Sequence, residues 1–251
     1  MAVYIGSARS DEKGKITGGK AGDQTGNEVS YQNWYLHSKG WIIIRAKKDD
    51  HRKKIAKAMK AACDNNNIGY DQNTRLGLYN AVKNSKFDPA KCNKKVNTDC
   101  SALVRVCVHY AGITCNDFNT ASEVSVLKST GKFDIITDSK YTKTSNYLKQ
   151  GDILVTATKG HTVVVLTDGQ YSDISAPTSG TNTSTTSNGY YPKYTGTSTK
   201  IDTVFKAIGA PNGNVKNRTP VANANGISNY TGTSDQNLSL IDLAKKGKLK
   251  K

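Results

Sequence analysis

From Ser175 to Gly189 the chain reads Ser-Ala-Pro-Thr-Ser-Gly-Thr-Asn-Thr-Ser-Thr-Thr-Ser-Asn-Gly, with no charge and almost no apolar side chain. Such a stretch buries nothing that offsets the entropy of ordering it. It reads as a flexible linker over 175–189 and divides the chain in two. Residues 1–174 are long enough for a core of their own, and residues 190–251 form a small second module. No run approaches the roughly 20 apolar residues of a membrane span, Trp41–Ile44 and Val163–Leu166 being among the longer ones. The first residues lack the basic start, apolar stretch and cleavage site of a secretory signal. The expectation is a chain made in a cytoplasm and not exported by that route.

In the tail, Tyr-Thr-Gly-Thr-Ser occurs at 194–198 and again at 230–234. Each copy precedes an apolar pattern of helical period: Ile201, Val204, Phe205 and Ile208, then Leu238, Ile241, Leu243 and Leu249. Ser or Thr before such a run suits an N-cap, so a mainly helical module is expected. In the first part, Asp49–Asp64 reads as an amphipathic helix with Ile55, Ala58, Met59 and Ala62 inward. The segment Asp99–Tyr110 reads as a second helix. Ile153–Val155 and His161–Leu166 read as strands, the latter buried by its β-branched run. Helices first and strands after predict the α+β class.

The Asp99–Tyr110 helix carries the chemistry. Ala102, Leu103, Val106, Cys107 and Tyr110 mark one buried face, and Gly112 supplies the stop. Asp99 suits the N-cap, which sets Cys100 in the first turn. The partial positive charge of a helix N-terminus lowers a thiol pKa, and the thiolate is the nucleophile. Of five cysteines, Cys107 reads as packing, Cys63 ends a helix, and Cys92 and Cys115 fall in loops. No pair forms Cys-x-x-Cys, so a zinc or redox site is unsupported.

A thiolate needs a base, and the chain has four histidines. His51 lies in a basic run and reads as solvated. His109 lies nine residues beyond Cys100, about 13 Å along the helix at 1.5 Å per residue. His37 sits in a polar stretch without an evident partner. His161 opens a strand, at the rim of a sheet where it can face a cleft. If Thr167-Asp168-Gly169 forms a three-residue hairpin loop, Asp173 falls diagonally beside His161 on one face. With another turn, Asp168 is the alternative third residue.

Asp-Cys-Ser-Ala-Leu-Val at 99–104, Gly-Asp-Ile-Leu at 151–154 and Gly-His-Thr-Val-Val-Val at 160–165 resemble the NlpC/P60 family of papain-like cell-wall peptidases. The resemblance covers roughly residues 65–175 and implies a nucleophile-bearing helix packed on an antiparallel sheet. It implies Cys100 as nucleophile, His161 as base and Asp173, twelve positions on, as the orienting residue. Asp99, Ser101 and Tyr70 would contact substrate. Ala102 departs from the family's glycine, and the family's third residue is usually histidine.

Residues 1–60 lie outside that match as an N-terminal extension. Their 22–29 segment and Trp34-Tyr35 look like the leading segments of phage-encoded wall hydrolases, and the tail is similar to LysM-like wall-binding modules. Together these features resemble a phage or prophage endolysin of a Gram-positive host, released through a separate membrane pore. The implied reaction is amide hydrolysis without cofactor or metal, most simply endopeptidase action on the stem peptide. An N-acetylmuramoyl-L-alanine amidase would use the same residues. A monomer is expected.

Lys and Arg total 36 against 20 acidic residues, a net charge of +16. Such a charge favours a polyanion, here peptidoglycan-linked teichoic acid. A non-catalytic wall-binding or nucleic-acid-binding protein would carry it too, but no recognition helix or aromatic RNA-binding pattern is present. Gly14-x4-Gly19-Lys20 approaches a phosphate-binding loop, yet Ala21 stands where a hydroxyl must hold magnesium.

Overall fold

In the computed structural model, which describes residues 2–11, 13–170, 172 and 189–251, the β-branched run after His161 becomes an interior strand. The chain divides into two units, Met1–Thr181 and Asn182–Lys251. Apart from Gly189, the expected linker falls outside the described residues.

The first unit begins with three strands, β1 (Tyr4–Ala8), β2 (Val29–Asn33) and β3 (Trp41–Ala46), followed by helix α1 (Asp49–Cys63). Then come β4 (Ile68–Tyr70), α2 (Gly77–Val82), β5 (Val96–Thr98) and α3 (Cys100–Tyr110). The unit closes with α4 (Glu123–Ser129), β6 (Phe133–Ile136), α5 (Ser139–Thr142), β7 (Ile153–Thr156) and β8 (Thr162–Val165). Six strands form one antiparallel sheet in the order β2-β1-β8-β7-β3-β6, while β4 and β5 pair in parallel. The class is α+β with an antiparallel sheet, as expected.

The order of elements is not the expected one. Three strands come before any helix, and residues 1–60 supply half of the main sheet. β1 pairs with β8 through Ile5–Val165 and Gly6–Val164, and β3 lies between β6 and β7. These strands escape notice in sequence partly because β2, Val-Ser-Tyr-Gln-Asn, buries only its first residue and shows no apolar face.

The sheet buries both faces, as its period of two allows. Ile44, Ala46, Ile153, Val155 and Val164 pack with α1 and α3. Ile43, Leu154, Val163 and Val165 face the other way, with Trp41, Tyr141 and Leu148. Helix α1 turns Ile55, Ala58, Met59 and Ala62 into the first core, as its spacing predicts. Asp49 and Asp50 in its first turn complement the helix dipole where no side chain caps Lys48.

The Gly-Asp of 151–152 anchors β7. Gly151 has φ +84°, and a Cβ there would lie 2.0 Å from the Arg52 carbonyl oxygen, so only glycine fits. Asp152 is fully buried and accepts from Arg45 Nε at 2.7 Å and Nη2 at 2.6 Å, and from the Lys149 N–H at 2.7 Å.

The near phosphate-binding string is a packing loop. Gly18 N–H donates to Asp71, Asn97 donates to the Gly19 carbonyl, and no helix follows Lys20.

The second unit holds α6 (Ile201–Ile208), α7 (Val215–Ala224) and α8 (Ser234–Lys245), with an isolated bridge between Tyr190 and Lys250. Phe205, Val204, Val221, Leu240 and Leu249 form its core. Thr233 caps α8 in a reciprocal box with Gln236, so the second copy of the repeated pentapeptide does start a helix. The first copy does not cap: α6 starts after Lys200, which makes no side-chain cap. Helix α7 has polar residues around most of its surface and Pro220 inside it, which hides it from a periodicity reading. Among the described residues no helix is long and apolar enough to cross a membrane.

Candidate functional site

Helix α3 starts as the sequence predicts. Asp99 is extended at the N-cap, its Oδ1 accepting from the Ala102 N–H at 2.6 Å and from Ser101 Oγ at 3.0 Å. Asp99 Oδ2 pairs with Arg75 Nε at 2.7 Å. Arg75 also reaches Ser101 Oγ at 3.3 Å, the Phe118 carbonyl at 2.6 Å and Asp117 at 2.8 Å. Asp99 and Ser101 are thus buried members of a network centred on Arg75. Sequence reading missed Arg75 because it lies 24 residues before Asp99.

Cys100 is buried at 7% exposure, and its thiol is pushed up to about 12. Burial is the first cause, followed by the negative charges of Asp99 and Glu123. The Thr162 and Ser101 N–H groups face the sulfur and act the other way. The expected lowering by the helix terminus therefore does not prevail: desolvation and two carboxylates outweigh a half-charge dipole. Tyr70 lies beside the same sulfur, its hydroxyl pushed up to about 12 by burial and then by Cys100. The structure thus brings Tyr70, Asp99, Cys100 and Ser101 together.

His161 immediately precedes β8, after a turn in which Lys159 and Gly160 both have positive φ. It is mostly buried and is driven down to about 4, first by desolvation and then by His37 and Arg9. At neutral pH its imidazole is uncharged. Among the described residues no hydrogen bond links His161 to Cys100; the N–H of the next residue, Thr162, faces the sulfur.

His37 is not the isolated residue expected. It packs between Tyr35 and Trp41, its ring centroid 5.2 Å from that of Trp41, and neighbours His161. His51 is partly buried, with Nδ1 lacking a partner among the described residues, rather than solvated. His109 packs against Tyr79 and Phe87 at the far end of α3.

The hairpin expected at 167–169 does not form. Both edges of β8 are occupied, by β1 and β7. Gly169 instead donates to the Leu148 carbonyl, and Asp168 accepts from the Gln150 N–H at 2.8 Å. The whole of β8 separates Asp168 from His161, which rules it out as the orienting residue. Asp173 lies outside the described residues.

A second residue that sequence reading passed over is Glu123. It is fully buried, and its Oε1 accepts from Thr162 Oγ1 at 2.8 Å. Burial drives its carboxyl up to about 8, against the Thr162 hydrogen bond. No motif marks it; a lone glutamate 23 positions beyond Cys100 reads as surface charge.

All five cysteines are free. Among the described residues no group of three His, Cys, Asp or Glu is arranged to hold a metal. A cavity of about 470 Å³ lies away from Cys100, between α1 and the Tyr4, Tyr31 and Leu166 side chains.

No curated protein and no solved structure matches the chain. The profile of one family does match, that of the endolysin-like domain, over residues 5–172. Those bounds run from the first strand to just beyond β8, taking in the whole sheet and the Cys100 helix. On that match the chain belongs to the endolysin-like domain family.

Proposed function

We propose that this protein lyses bacterial cell walls by hydrolysing an amide of peptidoglycan through Cys100, in the manner of NlpC/P60 papain-like peptidases. The observation that carries the reading is an endolysin-like domain in which a cysteine opens a helix against the strand that follows a histidine. His161 is the base. Because thiol and imidazole both rest uncharged, proton transfer accompanies attack rather than preceding it. Cys100 Sγ adds to the carbonyl carbon as His161 takes the thiol proton, and N–H groups at the start of α3 support the oxyanion. His161 then protonates the leaving amine, the C–N bond breaks, and a thioester remains. Water, deprotonated by His161, releases the acid and restores the thiol.

Asp173 is the orienting residue on the family resemblance alone, and Tyr70, Asp99 and Ser101 wall the substrate site. Endopeptidase action on the stem peptide is the first choice, with N-acetylmuramoyl-L-alanine amidase action as the alternative for the same residues. The second unit attaches the enzyme to the wall as a LysM-like module would, and the +16 charge suits teichoic acid. The protein acts at the wall after release from the cytoplasm, as a monomer.

Digestion of purified Gram-positive walls by wild type and Cys100→Ala, with fragments identified by mass spectrometry, tests this. New amino termini that depend on Cys100 identify the bond. Identical fragments from both proteins remove Cys100 as nucleophile, and no fragments from either favour a non-catalytic wall-binding protein.

A further inference from the structure

His161 is flanked by two residues that the same segment holds. The Gly160 N–H donates to Thr120 Oγ1 at 3.0 Å, and Thr162 Oγ1 donates to Glu123 Oε1 at 2.8 Å. The stretch from Thr120 to Glu123 therefore clamps the turn from both sides of the histidine. Thr162 has a second role, since its backbone N–H faces the Cys100 sulfur. One residue thus links a buried carboxyl to the nucleophile. We propose that Glu123, in its neutral acid form, is a positioning residue that acts through Thr162 to set the His161 turn and the Thr162 N–H against Cys100. The inference rests on the reading of Cys100 and His161 as the reacting pair.

Three observations favour this over a merely packed glutamate. Glu123 is at 0% exposure, yet its Oε2 has no hydrogen-bond partner among the described residues. A buried carboxylate without a full set of donors is costly, whereas the neutral acid is tolerated. The charged groups facing it are Asp99 at the α3 N-cap and Lys159 in the β7–β8 turn, and neither makes an ion pair with it. Its negative charge, when present, opposes that of the Cys100 thiolate. Neutral Glu123 holds the Thr162 hydroxyl without disfavouring the thiolate; ionised Glu123 holds it too but sets a second negative charge beside the sulfur.

The test measures Cys100 alkylation by iodoacetamide from pH 6 to pH 10 in the full chain, resolved by peptide mass spectrometry. Fully buried Cys107 reports unfolding. Glu123→Gln keeps an acceptor for the Thr162 hydroxyl and removes the ionisable proton. It is expected to shift the Cys100 profile to lower pH, with alkylation at pH 9 roughly threefold faster, about half a pKa unit. A Cys100 profile unchanged from wild type overturns the proposal. Should Cys107 become reactive in that variant, Thr162→Val and Thr162→Ser decide. Val breaks the clamp and slows Cys100 alkylation at least twofold, while Ser matches wild type; equal rates in all three proteins overturn it. Wall lysis that survives Cys100→Ala would sink the proposed chemistry and leave the alkylation result standing.

Discussion

Asp152→Asn should destabilise the first unit severely while leaving the second intact. Asp152 is fully buried and Arg45 is 6% exposed, so neither charge is solvated. The carboxylate takes two hydrogen bonds from Arg45 and one from the Lys149 N–H. Asparagine keeps one acceptor but turns an NH₂ toward the guanidinium and leaves its charge without a counter-ion. Breaking one side of a buried pair costs about 3–5 kcal/mol. With a urea slope of about 2 kcal/mol/M, the midpoint should fall by roughly 1.5–2.5 M.

Both tryptophans, Trp34 and Trp41, lie in the first unit. Their fluorescence, excited selectively, therefore follows that unit's unfolding free of the second. Arg45→Met combined with Asp152→Asn removes the stranded charge and should recover at least half of the loss, since an apolar replacement is often neutral. A fall of less than about 0.5 M on the linear urea scale, or no recovery in the double variant, would refute the reasoning.

Two further predictions concern pH and the second unit. His161 in the folded protein stays neutral down to about pH 4, whereas in the unfolded chain it takes up a proton near pH 6.5. The unfolded state therefore binds more protons between those values, and stability falls as pH drops through that window. From pH 7 to pH 5 the wild type should lose roughly 2 kcal/mol more than His161→Gln in urea melts, and equal losses would contradict the burial argument. In the second unit, Thr233→Ala removes half of the capping box on α8. It should cost about 1 kcal/mol, read as faster amide exchange at Gln236 and Asn237 in the full chain, with exchange in the first unit unchanged.

What was legible in the sequence follows the range of the interactions. Helices α1 and α3 and the Asp99 cap declare themselves because period and capping are encoded within a dozen residues. The apolar runs of β7 and β8 did so too. The place of β8 in the sheet did not, because its second neighbour, β1, comes from the start of the chain. That unseen strand is why the proposed hairpin failed. Arg75 and Glu123 escaped notice for the same reason: each takes its partner from 24 to 39 positions away. The sign of the Cys100 shift was misread because a dipole is visible in sequence and burial is not.

The pairing of β1 with β8 also bears on when the sheet becomes complete. Ile5 cannot meet Val165 until the ribosome has made and released nearly the whole first unit. At about 5–20 residues per second that interval is roughly 8–30 s. Throughout it β1 can pair only with β2, because β8, its other neighbour, has not yet been made. The nascent chain thus carries an incomplete sheet until β8 arrives. A domain whose first strand must wait for its last completes its sheet in one late step.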